Sequence, residues 1–155
     1  EASLVNFIMS GGNLFINPID FEDTTFTWFP LDSLATLNPN GRLFPGTVIE
    51  NPVDSNLNLS ISHLISVKVK GFWPNLSEFE NVQTIYQMPV PEGNQPWSGT
   101  PTVCSIGQYR VSPMDLSGKV VIMTLPLHDG YRPKLQGNGS AIKLFEYLLE
   151  NEFIP

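Results

Sequence analysis

The chain has 155 residues, a net charge of −7 and only 15% charged residues, and Pro, Gly and Asn together make up a quarter of it. The 41% apolar share excludes a disordered chain, the composition excludes a coiled coil or helical repeat, and one cysteine excludes a disulfide scaffold. Eight scattered bases against fifteen acids offer no basic stripe, so nucleic acid and an anionic membrane surface are not expected partners. No apolar run is long enough to span a bilayer as a helix. The start, Glu1-Ala2-Ser3-Leu4, lacks a basic n-region, so no signal peptide is expected, and the lone Cys104 suits synthesis in a cytosol.

In chain order, Leu4 to Met9 reads as an apolar strand, turned by Ser10-Gly11-Gly12 into a second strand at Asn13 to Asn17, a candidate hairpin. Thr24 to Phe29 is rich in β-branched and aromatic residues and reads as a strand closed by Pro30. A short helix is open to Leu31–Leu37, with Asp32 or Ser33 as cap, before the turn Asn38-Pro39-Asn40-Gly41. Gly46 to Glu50 is strand-like, and Asn51-Pro52 and Asp54-Ser55-Asn56 interrupt it. From Leu57 to Trp73 apolar residues alternate with polar ones, with only Leu64 and Phe72 out of phase. Period two means a strand with one buried and one wet face, as in antiparallel sheets. Its length exceeds an ordinary strand, so a bend or a division near Ser62–Ser66 is expected. Val82 to Met88, Pro101 to Ile106, Gln108 to Val111 and Lys119 to Leu125 complete the strands. The last is so continuously apolar that a central, doubly covered position is expected.

Near the C-terminus Ala141, Leu144, Phe145, Leu148 and Leu149 share one helical stripe, predicting a helix over about Ser140–Glu150 capped by Asn138 or Ser140. These elements predict one domain over residues 1–155. Its fold class is mainly β, an antiparallel β-sandwich or partly open barrel with one C-terminal α-helix.

Residues able to do chemistry are few. His63 falls on the buried face of the alternating segment, and His128-Asp129-Gly130 reads as a turn. The nucleophile elbow Gly-x-Ser-x-Gly is absent. Cys104 sits in a strand-like run and reads as a small buried hydrophobe. The acidic group Asp20, Glu22 and Asp23 reads as a solvated turn, and Gly137–Ser140 as a loop and N-cap. No catalytic residue, metal or cofactor is assigned. Binding is expected instead from two polar loops that carry aromatics. One is Pro89 to Pro101, stiffened by Pro89, Pro91, Pro96 and Pro101 and bearing Asn94, Gln95 and Trp97. The other is His128 to Lys134, bearing Tyr131 and Arg132, whose fork of donors suits a carboxylate. Together they are expected to form one binding edge.

The density of Asn and Pro, the short strands Asn13-Leu-Phe-Ile-Asn17 and Thr24-Thr-Phe-Thr-Trp-Phe29, the single cysteine and the long polar loops resemble the projecting surface domains of small non-enveloped RNA virus capsids. That resemblance implies a module on the virion surface that attaches to a host cell-surface receptor or glycan, with homo-oligomeric contacts in the particle and no membrane insertion. It also leaves room for a Ser–His–Asp esterase using His63 or His128, since some insect-virus projections are proposed to hold such a site. A structural assembly domain is the third reading. Separately, Asp115-Leu-Ser-Gly-Lys-Val-Val-Ile122 is similar to a strand of protease-associated domains, without the glycine and alanine pattern that follows it there.

Overall fold

Val120-Val-Ile-Met123 is the centre of the structure. All four residues are fully buried, and their side chains divide between two cores on opposite faces of one sheet. The computed structural model describes residues 2–17, 31–38, 40–66, 68–74, 76–93, 96–126, 128–129, 132–133, 135–136 and 141–154. In chain order they form α1 (Ala2–Met9), β1 (Leu14–Ile16), β2 (Leu31–Thr36), β3 (Val48–Ile49), a 3₁₀ turn (Ser55–Leu57), β4 (Leu59–Ile61) and β5 (Lys70–Pro74). There follow β6 (Phe79–Gln87), β7 (Thr102–Tyr109), β8 (Val120–Met123), β9 (His128–Asp129), β10 (Arg132–Pro133), β11 (Leu135–Gln136), α2 (Ala141–Tyr147) and a π-helical turn (Leu148–Glu152).

The main sheet has six strands in the order β1-β8-β7-β5-β2, with β6 paired to β7. It is mixed: β1 runs parallel to β8, and every other pairing in it is antiparallel. A second sheet of three strands, β11-β4-β3, contributes Ile49, Leu59 and Ile61 to the larger core. That core also takes Val121 and Met123 from β8 and Leu144 and Leu148 from the C-terminal helix. The smaller core, on the other face, joins Ile8 of α1 to Phe72, Phe79, Val120 and Ile122. The fold is thus rich in strands, with a short C-terminal helix. Among the described residues the strands do not close into a barrel.

Local chemistry explains several of these choices. Asparagines clamp both ends of β1 to β8: Asn13 Oδ1 accepts from Lys119 N–H at 2.8 Å, and Asn17 Nδ2 donates to Met123 O at 2.6 Å and Leu125 O at 2.7 Å. The alternating segment divides as expected, into β4 and β5, and Leu59, Ile61, Ile65 and Val69 are all buried. The phase fails at its start and middle. Leu57 lies in the 3₁₀ turn and is 41% exposed, and His63 is half-buried. Among the described residues the chain leaves the β4 ladder after Ile61 and, before β5, pairs only through the bridge of Ile65 with Leu43, so no strand holds His63 inward.

Four expectations are corrected. Leu4–Met9 is not a strand but part of α1, and Gly11-Gly12 closes that helix in place of a hairpin. Gly11 has φ +98°, its N–H donates to Ile8 O at 3.0 Å, and Gly12 N–H donates to Phe7 O at 2.9 Å. This is the Schellman arrangement, which needs a left-handed residue just after the helix. The strand Leu14–Ile16 pairs with β8, not with its neighbour in sequence. Leu31–Leu37 is a strand, not a helix, because its partner β5 supplies the ladder from Leu31–Pro74 to Thr36–Lys70. Pro101–Ile106 and Gln108–Val111 are one strand, β7, running through Gly107. The expected strand Thr24–Phe29, the acidic group Asp20, Glu22 and Asp23, and the caps Asn138 and Ser140 lie outside the described residues.

Candidate functional site

The loop between β3 and β4 is built by side chains that satisfy its own backbone. Asn51 Oδ1 accepts from the N–H groups of Val53 and Asp54, both at 2.9 Å. Asp54 caps the 3₁₀ turn by accepting from Asn56 N–H at 2.9 Å, and Asn58 Oδ1 accepts from Asn51 N–H at 2.7 Å. Such Asx bonds replace the ladder that the turn gives up. The loop is also tied to β6. Glu50 and Gln87 exchange both backbone bonds, and the Tyr86 hydroxyl donates to Leu57 O at 3.2 Å.

Between this loop, β6 and α2 lies a cavity of about 240 Å³. Val53 and Leu57 from the loop, Ile85 from β6 and Leu144 from α2 make it predominantly apolar. Asp54, Gln83 and Thr84 add a few polar groups, and Tyr86 and Tyr147 line it as well. A concave, mainly apolar space with sparse polar groups is the usual form of a binding pocket. Burial pushes the Tyr86 phenol up to about 12, with Cys104 adding to the rise and a hydrogen bond to Asn51 opposing it. The Tyr147 phenol is also raised, first by burial and then by its bond to Glu152 and that residue's charge. Both hydroxyls therefore stay protonated as donors at neutral pH.

A second cavity, also about 240 Å³, adjoins the first through Gln83. Its lining is mixed, with Asn81, Gln108, Lys119 and Glu152 beside Ile106 and Gly107. Lys119 Nζ meets Glu152 Oε2 at 2.6 Å, and Tyr147 OH donates to Glu152 Oε1 at 2.9 Å. Asn81 Nδ2 donates to Gln108 Oε1 at 2.9 Å. Asn81 has φ +53° and is the extra residue of a bulge between Glu80 and Gln83, a conformation Asn tolerates better than most residues. The margin of β6 thus passes from an apolar hollow to an amide- and charge-lined one.

The residues expected to bind are placed only in part. Trp97 is half-buried in the loop from Pro89 to Pro101, whose two arms are joined by Met88 N–H to Pro101 O at 3.2 Å and Val90 N–H to Gly99 O at 2.8 Å. The loop therefore prolongs the β6–β7 pairing as a narrow hairpin. Asn94, Gln95 and Tyr131 lie outside the described residues, as do the side chains of His128 and Arg132. Arg132 sits in β10 opposite Asp129 of β9. The expected meeting of the two loops on one edge falls outside the described residues too.

Of the nucleophile candidates, Cys104 is wholly buried in β7, and burial drives its thiol far above the ordinary range, so it is a core residue and not a source of thiolate. His63 Nδ1 lies 3.0 Å from Ser62 Oγ, a contact between neighbours in sequence. The cavity between the loop, β6 and α2 went unread in the sequence. Asn51 and Asp54 register there only as strand breakers, Asn58 as part of the alternating segment, and Tyr86 and Tyr147 only as parts of two distant elements. Comparison with family models, with curated proteins and with solved structures finds no match.

Proposed function

We propose that the chain is a non-enzymatic recognition module, displayed on the surface of a small non-enveloped virus particle, that holds a host receptor or glycan. The observation that carries the reading is the cavity at the β6 margin. It is concave, apolar within, edged by hydroxyl and amide groups, and built on a strand, a helix and a self-bonded loop. A site on such supports needs little ordering when a ligand arrives. The half-buried Trp97, on the hairpin that extends the same strand, offers a second contact. The finer fold reading belongs to this proposal: the main sheet and the three-stranded sheet facing each other across the larger core make an open sandwich of the kind used for display.

The test is saturable binding of the labelled soluble domain to cells, with surface glycans or surface proteins removed enzymatically in parallel. Trp97→Ala is expected to weaken binding by about 1–2 kcal/mol without a change in melting temperature, as anchoring aromatics do. Absence of saturable binding to any cell type tried would remove the reading. Among the described residues a hydrolase reading draws only on the Ser62–His63 contact, His128 having its side chain outside them, and ester turnover lost in His63→Leu would replace recognition with it.

A further inference from the structure

The longest strand of the main sheet is also an edge. Among the described residues β6 pairs with β7 along one side, and on its other side it meets only the single bridge of Gln87 to Glu50. Where the ladder is regular, at Gln83 and Thr84, alternate residues turn their N–H and C=O away from β7. Natural edges are usually blunted by lysine, proline or inward charge. The run Val82-Gln-Thr-Ile-Tyr-Gln-Met88 has no lysine, proline or charge; the bulge between Thr84 and Tyr86 and the bridge of Glu50 to Gln87 interrupt it.

The apolar cavity is placed to use that edge. Gln83, Thr84, Ile85 and Tyr86 are consecutive, and all four line it. The ladder to β7 is irregular between Thr84 and Tyr86, and Ile85 and Tyr86 both join the larger core, so the hollow follows the strand past this bulge. A chain laid beside β6 would have this hollow directly under one of its side chains. The surroundings are acidic. Asp54 lines the cavity, Glu50 lies beside it opposite Gln87, and no Lys or Arg is among the described residues that line the hollow.

We propose that the outer edge of β6 at Val82–Ile85 takes an added strand from a partner protein. The added strand is an extended peptide that places one apolar side chain in the cavity against Leu57 and Leu144 and a nearby Lys or Arg against the acidic rim. Strand addition supplies affinity through main-chain bonds and specificity through a side-chain pocket, and this margin offers both. A second copy of the chain is a poorer occupant, because it would bring the same acidic rim against this one. The proposal deepens the recognition reading and rests on it, naming a protein segment as what is held.

The experiment pans a library of short random peptides on the immobilised domain and synthesises the enriched sequences. They are expected to carry an apolar residue with Lys or Arg close by. N-methylation at alternate peptide positions should abolish binding, while the intervening positions tolerate it. Amide resonances of Val82–Ile85 should shift on titration. Val53→Lys, at a position 78% exposed and therefore safe for folding, should weaken binding roughly tenfold by bringing positive charge to the rim. Asp54→Asn keeps the turn cap and removes the charge, and should weaken binding in a salt-dependent way. Peptides indifferent to N-methylation, no effect of Val53→Lys, no enriched peptide, or self-association through β6 would each overturn the proposal. Cell binding that survives Val53→Lys would overturn it while leaving the recognition reading intact, and absence of cell binding by the unaltered domain removes that reading itself.

Discussion

Gly118 is the point where the N-terminal helix meets the start of β8, and replacing it with alanine measures how closely they meet. Gly118 N–H donates to Ile8 O at 2.8 Å. A Cβ there would lie 2.1 Å from Gly12 O, 2.5 Å from Gly12 C and 2.7 Å from Gly11 C. Ordinary contact between such atoms needs about 3.5 Å, so the end of α1 must retreat by more than about 1 Å. The obstacle is backbone, and it is the Schellman turn itself, so no rotamer change relieves it. Overpacking of this kind costs about 1–3 kcal/mol, and a rigid obstacle with a hydrogen bond at stake belongs at the upper end, about 3 kcal/mol. In a domain of this size that lowers the melting temperature by about 6–12 °C. Urea unfolding followed by tryptophan fluorescence reads the same loss as a lower midpoint with an unchanged slope. Gly11→Ala is the control: at φ +98° with nothing within 4 Å of its Cβ, it has strain but no clash. Its cost should be about 1–2 kcal/mol. A Gly118→Ala protein within about 0.5 kcal/mol of wild type would refute the close approach of α1 to β8.

Leu148→Ala should lose about 3 kcal/mol, because Leu148 is 1% exposed in the larger core, whereas Leu149→Ala, at 64% exposure, should stay within about 0.5 kcal/mol by the same denaturant assay. Cys104 should resist DTNB in the native protein and react only as the chain unfolds, so a rapid native reaction would contradict its burial in β7. The Tyr86 phenol ionises at about 12 in the folded protein, above its ordinary value near 10 in the unfolded chain. Above the unfolded value the native state therefore binds the extra proton, so this contribution to stability is complete below about pH 10 and is lost as pH rises toward 12. Tyr86→Phe should flatten that alkaline decline in urea midpoints, and an unchanged slope would show that the hydroxyl is not held as described.

Much of the architecture was legible in the residues alone. Val120–Met123 could only be a strand covered on both faces, since four consecutive apolar side chains point to both sides of a sheet. The period-two run became strand only at Leu59–Ile61 and from Lys70 on, and its length broke it between them. Leu144 and Leu148 share a helical face whatever they pack against. Phe145 in α2 and Leu149 in the π-helical turn are exposed, so the expected stripe narrows to Leu144 and Leu148. Elsewhere local pattern was ambiguous and tertiary contact chose. Leu4–Met9 is apolar enough for either state, and the helix won because Ile8 reaches the smaller core and Gly11-Gly12 can close a helix as readily as a hairpin. Leu31–Thr36 became a strand because β5 was there to bond it. The parallel pairing of Leu14–Ile16 with β8 joins residues more than a hundred positions apart, which no local pattern encodes. The cavity at the β6 margin has the same origin. Its loop, strand and helix are separate stretches whose individual chemistry is that of a turn, an edge and an amphipathic face, and only their packing makes an apolar hollow beside a row of backbone donors and acceptors.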